Sequence, residues 1–162
     1  MILLICSSQA ANAGQLTLGA KASVYSPPEE GANPSLMYGF MLDYDINARL
    51  QARDEASYTS YTAKGIDYTL MPVTFNLIAH FIPGGAIDPY LGGGIGYYSK
   101  TAAGVETANT GAQGVAGLAF KLGGLNAALE ASYVVPDLSH SEKGSMSWGG
   151  WASGTAYVLV PF

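Results

Sequence analysis

The two histidines are the side chains of this sequence best suited to acid–base or metal chemistry. Neither His80 nor His140 has a second histidine or a carboxylate at ligand spacing, so the sequence predicts no metal site. Ser139 and Ser141 flank His140 and imitate part of a hydrolytic Ser–His pair. In a loop rich in Gly and Ser, a histidine is more often solvated than catalytic. We therefore predict that the chain is not an enzyme.

A cluster of glycines at Gly92–Gly96 is the other pattern that suggests chemistry. It fits neither GxGxxG nor GxxxxGKS/T, and no helical pattern follows it, so it predicts no nucleotide cofactor. Glycine inside a strand instead allows strong curvature and close packing of a neighbour. The formal net charge of −5 provides no phosphate-neutralising surface, which argues against nucleic acid as a partner.

Charged side chains of both signs form the most informative constellation. Charged residues make up only 12% of the chain, and several of them fall on the polar face of alternating segments. Unpaired charges inside a narrow, low-dielectric interior are costly, so we expect a salt-bridge network. Such a network either plugs the interior or lines a gated polar path, and because a small barrel is normally filled we favour the plug. The predicted members are Lys21, Asp43, Arg49, Arg53, Glu55, Lys121 and Glu130.

Eight segments of alternating apolar and polar residues must position these side chains. A period of two indicates a two-faced sheet, and each segment is long enough to cross a bilayer as a tilted strand. No segment shows helical periodicity over a useful length. The predicted strands are Gln15–Tyr25, Ser35–Tyr44, Ala48–Tyr61, Tyr68–Phe81, Tyr90–Ser99, Ala112–Leu122, Leu125–Val135 and Gly150–Phe162.

The connections between these strands alternate in length. Asp45–Asn47 and Gly123–Gly124 are tight, Ile82–Pro89 is moderate, and the other four are longer and polar. Short turns at one end and long loops at the other are typical of a closed up-and-down antiparallel eight-stranded transmembrane β-barrel. The long loops are predicted at Ser26–Pro34, Thr62–Asp67, Lys100–Gly111 and Pro136–Gly149.

The composition of the two faces distinguishes a membrane barrel from a soluble one. The polar face is crowded with small residues and carries few charges, which suits a narrow interior better than a solvated outer wall. We therefore expect the apolar face to point into lipid. Its predicted members include Leu16, Leu18, Leu42, Phe75, Leu118, Leu129 and Val158.

Aromatic residues collect at the strand ends. Two aromatic girdles are expected where a membrane barrel meets the two lipid interfaces. The predicted interface residues are Tyr25, Tyr38, Tyr44, Tyr58, Phe81, Tyr90, Tyr97, Phe120, Tyr133, Trp151 and Phe162.

The first thirteen residues differ from the rest of the chain. A short apolar run at Met1–Ile5 is followed by the A-x-A cleavage signal Ala11–Ala13. We predict a truncated signal peptide at residues 1–13 and a barrel domain at residues 14–162. Cys6 is the single cysteine, so the barrel domain contains no disulfide.

Two segments resemble a known family. Pro89–Tyr97, with the sequence PYLGGGIGY, resembles the central strand of the small outer-membrane barrel domain of the OmpA, OmpX and OmpW type. Ala156–Phe162 is similar to the terminal strand that the barrel-assembly machinery recognises, with a final aromatic preceded by apolar residues at alternate positions. The resemblance covers Gly14 to the end of the chain. It implies the outer membrane of a Gram-negative bacterium, with its lipids, lipopolysaccharide and the barrel-assembly machinery as partners.

The residues and the resemblance together predict a monomeric, non-enzymatic barrel with a plugged interior. Its structural or surface-interaction role would reside in four outer loops. Two alternatives remain open, a narrow channel for small or hydrophobic solutes and a lipid-A-modifying hydrolase.

Asp54 does not fit this pattern. It shares parity with Leu50, Ala52, Ala56 and Tyr58, which aims its carboxylate at lipid. A bulge near residues 53–55 would turn it away from the lipid.

Overall fold

The protein is a closed barrel of eight antiparallel strands, so the predicted fold class is confirmed. The computed structural model describes residues 14–122, 125–138 and 150–161, and these ranges contain no helix. The predicted signal peptide and Phe162 lie outside the described residues. The strands are β1 (Leu16–Tyr25), β2 (Ser35–Asp45), β3 (Leu50–Ala63), β4 (Ile66–His80), β5 (Ile87–Ala102), β6 (Val105–Leu122), β7 (Leu125–Val135) and β8 (Trp151–Pro161).

Each strand pairs with its neighbours in the sequence, and β1 closes the barrel against β8 with Leu18 opposite Val160. Closure pairs every strand on both sides, which a chain in a bilayer requires because lipid offers no hydrogen bonds to a free strand edge. With an even number of strands, the start of β1 and the end of β8 lie at the same end of the barrel, here called the inner end. The β1–β2 loop at residues 26–34 lies at the opposite, outer end.

Two of the predicted outer loops are wrong. The loop predicted at Thr62–Asp67 is the tip of a continuous β3–β4 hairpin, and the loop predicted at Lys100–Gly111 is mostly paired β5 and β6. The turns at Lys64–Gly65 and Ala103–Gly104 have φ of 50°, 77°, 48° and 80°. Positive φ at both central residues defines the type I′ turn, which matches the twist of the flanking strands. These polar segments therefore stay in the sheet because the hairpins satisfy their backbone hydrogen bonds.

The apolar face points outward, as predicted. The seven residues predicted to face lipid are between 38% and 58% exposed. A continuous apolar wall of this kind is stable in contact with lipid and unfavourable in contact with water. The barrel interior is instead filled with polar, charged and aromatic side chains.

The bulge predicted near residues 53–55 is absent. β3 keeps one register against β4 from Leu50 opposite Ala79 to Ala63 opposite Ile66. Asp54 consequently stays on the outer wall, paired with Leu42 on β2 and Phe75 on β4.

Candidate functional site: the closed lumen

Arg53 lies at the centre of the lumen with its side chain 1% exposed. Its Nε donates to Oδ1 of Asp43 at 2.8 Å and its Nη2 to Oδ2 at 3.2 Å, forming a bidentate pair with β2. Its Nη1 donates to Oε2 of Glu130 on β7 at 2.8 Å. A planar guanidinium can bridge two carboxylates in this way because its donors diverge in one plane. Arg53 therefore ties opposite walls of the barrel together.

Two tyrosines extend the network toward the inner end. Nη2 of Arg53 donates to the hydroxyl of Tyr157 at 2.9 Å, and that hydroxyl donates to Tyr90 at 2.7 Å. The hydroxyl of Tyr90 donates in turn to Glu130 at 2.9 Å, which closes a ring of hydrogen bonds. The ring leaves few unsatisfied polar groups around the buried guanidinium, which is the condition under which a buried charge is tolerated.

A second ion pair lies on the outer side of Arg53. Nζ of Lys21 on β1 is 2.6 Å from Oε2 of Glu55. The other carboxylate oxygen, Oε1, lies 3.8 Å from Nη1 of Arg53 and has no hydrogen-bond partner. The hydroxyl of Tyr98 is buried and also unpartnered. Glu55 and Tyr98 line one small polar chamber whose free volume of about 20 Å³ is enough for one water molecule.

Apolar clusters close the lumen above and below the ion pairs. Toward the outer end, Trp151 packs edge-on against Tyr25 and Tyr98, with ring centroids 5.5 Å apart in both pairs. Toward the inner end, Met41 and Tyr90 are at most 2% exposed and pack in a second cluster. Among the described residues, the layer of paired charges therefore lies between two apolar layers.

The outer mouth is covered by the 26–34 loop. The carboxylate of Glu29 accepts a hydrogen bond from the hydroxyl of Tyr61 at 2.8 Å and forms an ion pair with Lys100. Tyr61 stacks on Tyr68 with ring centroids 5.2 Å apart. Ala32 of the loop packs on the outer apolar cluster. This cap was not predicted from the sequence, because Glu29 lies in a segment without strand periodicity.

The structure brings together five of the seven predicted network residues. Arg49 is exposed in the β2–β3 turn, and Lys121 is exposed at the inner end of β6. Neither takes part in an ion pair among the described residues, so their assignment to the lumen network was wrong. Their position at the rim places both charges in solvent, where pairing is not required. The five that meet are Lys21, Asp43, Arg53, Glu55 and Glu130.

Three of the predicted interface aromatics point inward instead. Tyr25, Tyr90 and Trp151 are at most 5% exposed and fill the lumen. The reason is strand parity, because each shares its face with buried neighbours. Phe120 is half-buried. Six others lie on the outer wall with 45–58% exposure, namely Tyr38, Tyr44, Tyr58, Phe81, Tyr97 and Tyr133.

His80 has a carboxylate partner that sequence spacing did not predict. Its Nδ1 lies 2.9 Å from Oδ2 of Asp88, and Oδ1 of Asp88 accepts the backbone N–H of Ile82. The β4–β5 pairing brings the two residues together at the inner end. Among the described residues no group of three or more His, Cys, Asp or Glu forms a metal-binding cluster. Ser139, His140 and Ser141 lie outside the described residues.

Comparison with known proteins gives the same fold. No family model and no curated relative matches the chain. The neisserial surface protein A structure superposes with a TM-score of 0.71 at 15% identity, covering 93% of this chain and 98% of that one. The N-terminal β-barrel domain of Pseudomonas aeruginosa OprF gives 0.67 at 16% identity, covering 92% and 98%. The outer membrane enzyme PagL gives 0.55 at 15% identity, covering 89% and 99%.

Fold and surface together define the class of the protein. It is a small transmembrane β-barrel of the type found in the outer membrane of Gram-negative bacteria. The same fold serves a surface protein and an enzyme, so the fold alone does not assign an activity.

Two of the lumen tyrosines, Tyr157 and Tyr98, make a matched test of this geometry. Tyr157→Phe removes a hydroxyl that bridges Arg53 and Tyr90, and we expect the free energy of unfolding to fall by about 1.5–3 kcal/mol. Tyr98→Phe removes a hydroxyl that makes no hydrogen bond to another described residue, so the expected change is about 0.5 kcal/mol or less, of either sign. Urea unfolding of both variants in the same bilayer measures the difference. Equal losses of unfolding free energy in the two variants would show that the hydrogen bonds of the Tyr157 hydroxyl add no stability.

Proposed function

We propose that the chain is a non-enzymatic, non-conducting outer-membrane barrel that acts through its outer end. The observation that carries this proposal is the closed lumen, with Arg53 fixed by Asp43 and Glu130 between two apolar layers. A guanidinium held by two carboxylates between apolar layers serves stability rather than transport.

The outer end offers the surface for contact with other molecules. Among the described residues it includes the Glu29-anchored loop and the two hairpins that end at Lys64–Gly65 and Ala103–Gly104. Lys64 and Glu30 form an exposed ion pair there, with side chains 65% and 87% exposed. Charged, solvent-exposed tips of this kind suit polar surface partners such as lipopolysaccharide. We assign the structural or surface-interaction role to these segments, although only one of them is a long loop.

The proposal includes assembly as a monomer. All eight strands are paired within one chain, so the barrel needs no second copy to satisfy its backbone. The alternating apolar residues Ala156, Val158 and Val160 on β8 fit recognition by the barrel-assembly machinery.

Two functional measurements test the proposal against its alternatives. In planar bilayers we expect no discrete conductance steps from the purified barrel, because the polar chamber beside Glu55 and Tyr98 holds space for about one water molecule. Reproducible unitary currents from the wild type that change in Glu130→Ala would support the channel alternative instead.

The hydrolase alternative is tested separately. Mass spectrometry of lipid A from cells expressing the chain is expected to show no change in acylation. The described His–carboxylate pair supports this expectation, because Nε2 of His80 is buried and has no hydroxyl hydrogen-bonded to it. A loss of one acyl chain that disappears in His140→Ala would assign enzymatic activity to the segment containing Ser139 and Ser141.

A further inference from the structure

Asp54 is the one charged side chain that faces lipid between the aromatic rims, among the described strand residues. It is exposed on the outer wall, with Leu42 and Phe75 as its direct cross-strand neighbours. It makes no hydrogen bond and no ion pair within the described residues. An ionisable side chain in contact with lipid is costly, and such residues commonly mark functional contacts.

The height of Asp54 on the wall limits what can reach it. It follows Ala52 by two residues, and Ala52 pairs with Tyr44, one of the outward aromatics near the inner end. A tilted strand rises by roughly 2.5 Å per residue along the membrane normal. The carboxylate therefore lies about 5 Å on the membrane side of the Tyr44 level. The carboxylate is therefore nearer to the Tyr44 level than to the level of Tyr38, which pairs with Tyr58, and a headgroup of the inner leaflet approaches it from the Tyr44 side.

The charge of the site determines its ligand. A carboxylate accepts hydrogen bonds and takes a cation, and a primary ammonium group supplies both charge and N–H donors. A second copy of this chain offers no match, because the described cations lie in the lumen or at the two ends of the barrel. Symmetric packing of this wall would instead bring two Asp54 carboxylates together.

We propose that Asp54 binds the primary ammonium group of a phospholipid headgroup in the inner leaflet. The carboxylate holds the headgroup, while Leu42 and Phe75 contact the part of the acyl chains next to that headgroup. The site selects lipids by headgroup chemistry, independently of whether the lumen is closed or conducting.

Two headgroups that differ only by methylation test the proposal. Nanodiscs are prepared with equal amounts of dioleoyl phosphatidylethanolamine and dioleoyl phosphatidylcholine, whose ammonium group carries methyl groups instead of N–H donors. Native mass spectrometry then counts which lipid stays bound to the released barrel. We expect the wild type to retain roughly five times as much phosphatidylethanolamine as phosphatidylcholine. One charge-assisted hydrogen bond at a lipid-exposed site would give a preference of this size.

Two variants separate the site from the rest of the wall. Asp54→Asn is expected to bind the two lipids about equally. The barrel should still fold, because the substitution removes an unpaired charge from an apolar surface. Asp67→Asn, an exposed carboxylate at the outer end of β4, is the matched control and should keep the wild-type preference.

Thermal unfolding gives a second readout. The midpoint of the wild type and of Asp67→Asn should rise in phosphatidylethanolamine relative to phosphatidylcholine, and that of Asp54→Asn should not. Equal retention of both lipids by the wild type, or an unchanged preference in Asp54→Asn, would overturn the proposal. A dimer that forms only with Asp54 present would also overturn it, in favour of a protein contact.

Discussion

Replacing Arg53 with methionine is expected to lower the free energy of unfolding by about 3–5 kcal/mol. Methionine keeps most of the side-chain volume but removes the charge and all the donors. Asp43 and Glu130, whose side chains are at most 2% exposed, would then face each other as buried anions without a cation. Breaking one partner of a buried pair costs far more than the pair contributes, because the remaining charges lose their compensation.

Equilibrium urea unfolding in bilayers of fixed composition measures this loss. Lys64→Met is the matched control, since its pair with Glu30 is solvent-exposed and should contribute about 1 kcal/mol or less. Combining Arg53→Met with Asp43→Asn and Glu130→Gln removes the stranded anions and should recover a large part of the stability. A stable Arg53→Met barrel that conducts ions would mean that water solvates the carboxylates, and the lumen would then be a pore.

The alternation of apolar and polar residues was sufficient to predict eight strands and their outward faces. Leu16 and Leu129 point to lipid because period two fixes the face of every residue once one face is known. The outer ends of β5 and β6 were not predictable in this way. Segment 100–111 carries polar residues on both faces, and a strand that leaves the membrane has no continuous apolar stripe to reveal it.

Parity identified which charges face inward but not how high each one lies. Lys121 shares the inward face of β6, yet it lies at the inner rim and is exposed. Height follows from the register of neighbouring strands, for instance Asp43 opposite Arg53, and register depends on pairings between strands. The partnership of His80 with Asp88 was missed for the same reason, because the β4–β5 hairpin sets it.

Some aromatic residues were wrongly predicted to lie at the membrane interface because they are close to strand ends. The face on which each residue lies, set by the alternation along the strand, pointed the other way. Tyr90 lies near a strand end, which suggested an interface residue, but it shares its inward face with Gly92, Gly94 and Gly96 of β5. Gly117 on β6 leaves the space that the Tyr90 ring occupies, since a Cβ there would overlap the ring. A large inward residue opposite an inward glycine is a sequence signal for lumen filling, and it becomes visible only when the register is known.

The same complementarity makes Gly94→Ala the second variant with a large expected effect. Gly94 faces inward on β5 opposite Asn76. A Cβ at this position would overlap the backbone carbonyl oxygen of Phe75 and lie 2.5 Å from Oδ1 of Asn76, which accepts a hydrogen bond from Gln113. A backbone carbonyl cannot move aside without breaking the ladder between β4 and β5. We expect a loss of about 3 kcal/mol or more in the free energy of unfolding, at the upper end for overpacked interiors.

Gly114→Ala on the adjacent strand is the control for this prediction. Gly114 faces the lipid next to Gly93, and a Cβ there would meet nothing within 4 Å. The added methyl group reduces the flexibility of the unfolded chain, so we expect no loss and a gain of up to about 1 kcal/mol. Both variants are compared with the wild type by urea unfolding and by the fraction that folds into vesicles. If Gly94→Ala were as stable as Gly114→Ala, β4 and β5 would not approach as closely as this register requires. The close packing at Gly94 would then no longer support a filled, non-conducting lumen.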